Sequence, residues 1–130
     1  MGSIEEKIPA ILIVDENIAF RNNLATILRL QGFSVEFANG GFHLLHILEK
    51  KLEYSLLIIH ENMHDMLAEE AISLIRINQN KIDLPILFIS QNTDPGEIHD
   101  LIRAGANEYI IKTANIQPII DKAKKYLLNL

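Results

Sequence analysis

The chain contains no cysteine. Disulfides are therefore excluded, as is any metal centre built on thiolates, and a cytoplasmic location is the expectation. Long apolar runs are missing as well: no stretch approaches the roughly 18 residues a membrane-spanning helix needs, and no secretory signal pattern is visible. Positive charge is scarce. Twelve Lys and Arg stand against 17 Asp and Glu, for a net charge of −5. That balance gives no broad footprint for a polyanion, so no direct contact with nucleic acid is expected. Internal repeats, low-complexity tracts and linkers are also lacking.

What is present is a chain of 130 residues, 48% of them hydrophobic. It is long enough for one domain with one core and too short for two. Residues 1–130 are read as a single domain, with 1–7 as a tail and Met1-Gly2-Ser3 as a cloning remnant outside the fold.

Five short apolar runs recur, at Ala10–Val14, Ser34–Phe37, Leu56–Ile59, Leu84–Ile89 and Asn107–Ile111. The first, third and fourth are almost unbroken, as in strands covered on both faces by helices. Helical patterns separate them. Phe20, Leu24, Ile27 and Leu28 share one face, and Gly32 ends that helix. Leu44, Leu45, Leu48 and Leu52 form a second stripe, and Leu67, Ala71, Leu74 and Ile75 a third. Asp94-Pro95 reads as an N-cap followed by proline at the first helical position. Ile98, Leu101 and Ile102 follow, and Gly105 closes the turn. Ile116, Ile119, Ile120, Ala123, Leu127 and Leu130 make the last stripe.

The sum is an α/β (βα)₅ chain, a three-layer sandwich around a parallel five-stranded sheet of order 2-1-3-4-5, the flavodoxin-like arrangement. In such a sheet a site forms outside the carboxyl ends of the strands, at the switch point between strands 1 and 3. Strand 1 ends at Asp15-Glu16 and strand 3 at His60. The residues after strand 3, His60-Glu61-Asn62-Met63-His64, match H-E-x-x-H, which on a helix would be a zinc-protease motif.

The order of motifs resembles the receiver domain of bacterial two-component response regulators. ILIVDEN (Ile11–Asn17), LQGF (Leu30–Phe33), Ala38-Asn39-Gly40, SLLIIHENMHDMLA (Ser55–Ala68), LPILFISQ (Leu84–Gln91) and AGANEYIIKT (Ala104–Thr113) carry the likeness from Ile8 onward. The resemblance implies that His60 stands where the family keeps its phosphorylated aspartate. It implies that Asp15 and Glu16 are the acidic pair that holds Mg²⁺ together with a backbone carbonyl, here that of Asn62. Ser90 and Lys112 match the hydroxyl and lysine that bind phosphoryl oxygens, and Tyr109 the aromatic that moves on activation. The departures cluster at this site: His60 for aspartate, His64 for proline, Ala68 for glycine, Gln91 for a small residue, and Thr113 for the proline after the lysine.

Receiver chemistry needs a carboxylate nucleophile, and imidazole cannot form an acyl phosphate. Mg²⁺ prefers oxygen ligands in octahedral geometry, so its binding is expected to be weak or absent and no cofactor is assigned. Glu61 and Asp65 are nearby carboxylates, but strand alternation should turn Glu61 away from His60. Asp15, Glu16 and His60, with His64 as a fourth ligand, would suit Zn²⁺, Mn²⁺ or Fe²⁺. Against a metal, Lys112 is expected to fill the site as an ion pair with Asp15, with His60 hydrogen-bonded to a carboxylate. Gln91 is expected to plug the pocket partly and Tyr109 to be settled and half-buried. His43, His46 and His99 are expected on the surface. A cis bond before Thr113 would cost about 3 kcal/mol, so Lys112–Thr113 should be trans.

The reading is a pseudo-receiver, not an enzyme, that signals without phosphorylation through protein–protein contact. Its surface would be helix 4, strand 5 and helix 5, where Asp100, Arg103, Glu108 and Lys122 supply charges for a protein partner or a second copy. Two alternatives stay open: a receiver phosphorylated at an unusual residue, and a metal-binding domain or metalloenzyme using His60–His64.

Overall fold

The structure, a computed structural model, describes residues 8–51 and 53–128. Five strands alternate with five helices: β1 Ala10–Val14, α1 Ile18–Leu30, β2 Ser34–Ala38, α2 Gly41–Lys50, β3 Leu56–His60, α3 Ala68–Ile75, β4 Ile86–Ser90, α4 Pro95–Ala104, β5 Glu108–Ile111 and α5 Gln117–Leu127. All neighbouring strands pair in parallel, in the order β2-β1-β3-β4-β5. The fold and strand order expected from the sequence are therefore found. The tail at residues 1–7 and the expected stripe positions Leu52 and Leu130 lie outside the described residues.

The apolar runs are buried because each strand has helices on both faces. Side chains alternate along a strand, so odd and even positions enter different cores. Leu12, Val14, Leu57, Ile59, Ile86 and Phe88 face one cluster with residues of α2, α3 and α4. Ile11, Ile13, Leu56, Ile58, Leu87 and Ile89 face the other, with residues of α1 and α5. Every residue of β3 and β4 is buried, which explains their near-continuous apolar composition.

The local signals behave as physical chemistry requires. Asn17 caps α1 by accepting from the Phe20 N–H at 3.0 Å. Asp94 caps α4 by accepting from the Glu97 N–H at 3.2 Å, with Pro95 at the first helical position. Gly105 follows α4 with φ of 131°, a value that favours glycine, and an added Cβ would come within 2.5 Å of Arg76 Cγ. Arg76 occupies that space and ties the lower end of the sheet together. Its guanidinium donates to the carbonyls of Gly105, Gln79, Asn80 and Leu84 and to Asn107 Oδ1. Burial lowers its pKa, because no carboxylate is among those acceptors.

Several boundaries differ from expectation. β4 begins at Ile86, because Pro85 has no N–H to give to the ladder and Leu84 N–H bonds to Asn80. β2 and β3 each run one residue further than the apolar runs, to Ala38 and His60. In α3 the apolar stripe is rotated. Ala71 and Ile75 face the core as expected, joined by Ile72, but Leu67 is the N-cap and 73% exposed and Leu74 is 41% exposed. No cis peptide bond occurs among the described residues, so Lys112–Thr113 is trans as expected.

Candidate functional site

The parallel register delivers the chain's polar residues to one edge of the sheet. Val14 pairs with Ile59 and Ile89 with His60, so Asp15, His60 and Ser90 emerge side by side. Ser90 pairs with Ile111, which puts Lys112 at the same edge. All four residues come from strand termini, where side chains are held by buried backbone on one side and open loops on the other.

Asp15, His60 and Ser90 are the buried polar residues of the described chain. Asp15 Oδ1 accepts from the Asn17 N–H and from Asn62 Nδ2, each at 2.8 Å. Its Oδ2 is buried without a hydrogen-bond partner. His60 Nδ1 lies 3.5 Å from Asp15 Oδ1, yet neither ring nitrogen makes a hydrogen bond. The imidazole instead stacks on Phe20, with ring centroids 5.5 Å apart. Leaving buried donors or acceptors unmet costs about 1–3 kcal/mol each.

Three expectations are corrected here. Lys112 does not pair with Asp15; its ammonium sits over the Phe20 ring, 4.1 Å from the centroid. His60 is near Asp15 but is not hydrogen-bonded to it. Gln91 is exposed and enters the site through its backbone N–H, not as a side-chain plug. Glu61 lies on the face opposite His60, as strand alternation predicts, and reaches over to β4. It accepts from the Gln91 N–H at 3.0 Å and from the Ser90 hydroxyl in a very short hydrogen bond. β3 ends at His60, but the Glu61 N–H still donates to the Ile89 carbonyl at 3.0 Å, which keeps Glu61 on the same face as Ser90. Burial raises the Glu61 pKa, but the Ser90 hydroxyl, the Gln91 amide, His60 and Lys112 outweigh it and hold the carboxyl below its usual value.

The rest of the β3–α3 loop is fastened by side chains whose role the sequence did not reveal. Asn62 contributes its side-chain amide: its Oδ1 accepts from the Glu16 N–H at 3.1 Å. Glu16 turns outward and accepts from the His64 N–H at 2.8 Å, with His64 Nδ1 2.5 Å from its other oxygen. The acidic pair therefore diverges, Asp15 inward and Glu16 outward. Asp65 reaches across to α2 and accepts from the N–H groups of Gly41 and Phe42 at 2.8 and 3.1 Å. Those two N–H groups hold its carboxyl below the ordinary range. The Gly40-Gly41 pair was the available signal, since a Cβ at either would collide with Asp65 or Met66.

The H-E-x-x-H reading is overturned. His60 ends a strand and His64 lies in the loop after it, so the two do not share a helical face. Among the described residues no three His, Asp or Glu side chains converge as a metal site. Tyr109 is half-buried against Phe88, at 5.3 Å between centroids, and its hydroxyl donates to the Asn92 carbonyl and Glu97 Oε2 at 2.9 and 3.0 Å. His43, His46 and His99 are exposed. On the α4–β5–α5 face, Lys122 and Glu108 pair with each other at 2.7 Å, while Asp100 and Arg103 are exposed.

The model of the response regulator receiver domain matches residues 11–124. Chemotaxis protein CheY-3 of Vibrio cholerae is 29% identical over 126 residues, covering 96% of each chain. A CheY-like receiver domain from Methanospirillum hungatei superposes with a TM-score of 0.84 at 23% identity, over 95% of this chain and 96% of that one. The response regulator TrrA from Thermotoga maritima, solved in complex with Mg²⁺-BeF, superposes with a TM-score of 0.79 at 27% identity, over 92% of this chain and all of that one. No helix of the described residues is long and apolar enough to cross a membrane. With the wound sheet, the polar strand ends and the family match spanning the same residues, this chain belongs to the response regulator receiver family of two-component signalling.

Proposed function

We propose that this receiver domain lacks the phosphoacceptor of its family and signals in one fixed state, through contact with another protein. The observation that carries the reading is His60: an imidazole, not a carboxylate, ends the central strand beside Asp15. An imidazole there offers no oxygen for an acyl phosphate. The two carboxylates that could substitute are both engaged, Glu61 with Ser90 and Gln91, and Asp65 with the α2 N-terminus.

Mg²⁺ has no fitting donor set in this arrangement. It requires near-octahedral oxygen, whereas Asp15 Oδ1 is taken by two donors, Glu16 faces His64, and His60 presents nitrogen. Asp15 Oδ2 alone is unclaimed. Binding is weak or absent on this reading, and no enzymatic step is assigned to the chain.

The contact surface is α4–β5–α5, with Asp100 and Arg103 as its free charges and a protein partner or a second copy as its occupant. The Glu108–Lys122 pair is internal to the face and contributes shape more than charge. A net charge of −5 supports a protein partner over nucleic acid, and the lack of cysteine suits the cytoplasm. Incubation with acetyl phosphate and Mg²⁺, followed by intact-mass measurement, tests the reading. The expected result is an unmodified chain; a stable phosphoryl adduct at any residue of this site would sink it.

A further inference from the structure

The carboxylate of Glu61 has no evident task in the reading above, yet both of its oxygens are spent on consecutive residues of one strand end. Ser90, fully buried at the last position of β4, donates its hydroxyl proton to Glu61 Oε2, and the Gln91 N–H donates to Oε1 at 3.0 Å. The contacts do not stop there. The Ser90 oxygen accepts from the Asn92 N–H at 3.0 Å. The Asn92 carbonyl accepts from the Tyr109 hydroxyl at 2.9 Å, and the same hydroxyl reaches Glu97 Oε2, in the first turn of α4, at 3.0 Å. Asn92 Oδ1 also accepts from the N–H of Asp94, the residue that caps α4. One unbroken chain of polar contacts therefore runs from the end of β3 to the start of α4.

A hydroxyl and a backbone N–H converging on one point, with Lys112 and the imidazole of His60 at the same edge, form a receptor for a small oxyanion. Such a corner would ordinarily be filled from solution. Here the chain fills it with a side chain of its own. We infer that Glu61 is a tethered anion, whose carboxylate occupies the corner made by Ser90 and Gln91 and thereby holds residues 91–94, Tyr109 and the first turn of α4 in one arrangement. Glu61 is thus a positioning residue for the face proposed to meet a partner. The inference deepens that proposal by naming what fixes the state. It fails separately, because phosphate uptake tests the earlier reading and the spectra below test the tether.

The experiment compares backbone-amide NMR spectra of the full chain with those of Glu61→Ala and Ser90→Ala. Removing the carboxylate should move the resonances of Gln91, Asn92, Glu97 and Tyr109 while Ile11 and Ile58, inside the sheet, stay in place. Sodium acetate should return the moved resonances of Glu61→Ala toward their wild-type positions, and sodium chloride at equal concentration should not, since only a carboxylate can reoccupy the corner. In Ser90→Ala the same resonances should move and acetate should restore nothing. Unmoved Asn92 and Glu97 resonances in Glu61→Ala, or equal action of acetate and chloride, would overturn the inference. If Glu61→Ala loses its fold, Glu61→Leu, which offers neither donor an acceptor, decides in its place: shifted Asn92 and Glu97 with Ile58 in place support the tether, and unshifted ones refute it.

Discussion

At the scale of single residues, the site is defined by what its buried atoms fail to satisfy. Both nitrogens of His60 and one oxygen of Asp15 lie inside the protein without partners. A leucine at position 60 would keep much of the volume and the contact with Phe20 while removing two unmet polar atoms. His60→Leu is therefore expected to raise stability by about 1 kcal/mol in urea unfolding, on the reasoning that an apolar replacement of an unsatisfied group is neutral or favourable. A loss of stability of similar size would show that the imidazole is satisfied in solution. His60→Asp should act in the opposite sense. It sets a second carboxylate beside Asp15, and like charges so close disfavour the ionised pair. Added Mg²⁺ should recover part of the lost melting temperature in that variant and leave the wild type unchanged. Recovery should be incomplete, because Glu61 still occupies Ser90 and Glu16 still faces His64.

At the scale of elements, most of the fold was legible and much of the site was not. The strands could be read because burial on both faces demands near-continuous apolar composition, and Ile11–Val14 or Leu56–Ile59 admit no other role. Helix ends at Gly32, Asp94 and Gly105 were readable from cap chemistry alone. The α3 stripe was half right: Ala71 and Ile75 are buried, but Leu67 and Leu74, which share their spacing, are exposed, and packing chose Ile72 instead. The Lys112 contact was not legible because its expected partner, Asp15, is held instead by Asn17 and Asn62, while the ammonium finds the Phe20 ring. Asp65 is harder still, since its one trace in the sequence is the Gly40-Gly41 pair, with Gly41 24 residues before it. Asp65→Ala should uncap α2 and cost about 1 kcal/mol, as loss of an N-cap acceptor usually does, with the amides of Gly41 and Phe42 exchanging faster. Gly105→Ala should cost about 1–3 kcal/mol, from a strained backbone and from displacing Arg76; equilibrium unfolding measures it.

At the scale of the whole molecule, the carboxylates set the pH dependence of folding. In Glu61 and Glu108 burial raises the pKa but is outweighed: by Ser90, Gln91, His60 and Lys112 for the first, and chiefly by Lys122 for the second. In Asp65 the backbone amides of α2 dominate, and in Glu36 the hydrogen bond from Lys51. All four are held below their ordinary values. A depressed folded-state pKa confers stability that is complete above the unfolded value and is lost as pH falls through the folded one. Stability should therefore be flat near neutrality and decline below about pH 4, and Glu61→Gln should shrink that decline. Glu36 and Glu108 lie on the edge strands β2 and β5, and Glu61 and Asp65 in the β3–α3 connection. The buried centre of β3 and β4 should therefore be lost last, and the loss should begin at the two edges and in the loops at the carboxyl end of the sheet. Those loops also hold the central claim, that this receiver presents one state whatever the phosphoryl chemistry around it. The most direct measurement is the amide spectrum of the wild-type chain titrated with Mg²⁺ and beryllium fluoride. The account requires the resonances of His60, Ser90, Asn92 and Tyr109 to stay where they are; a saturable shift of these residues, spreading into α4, would contradict it.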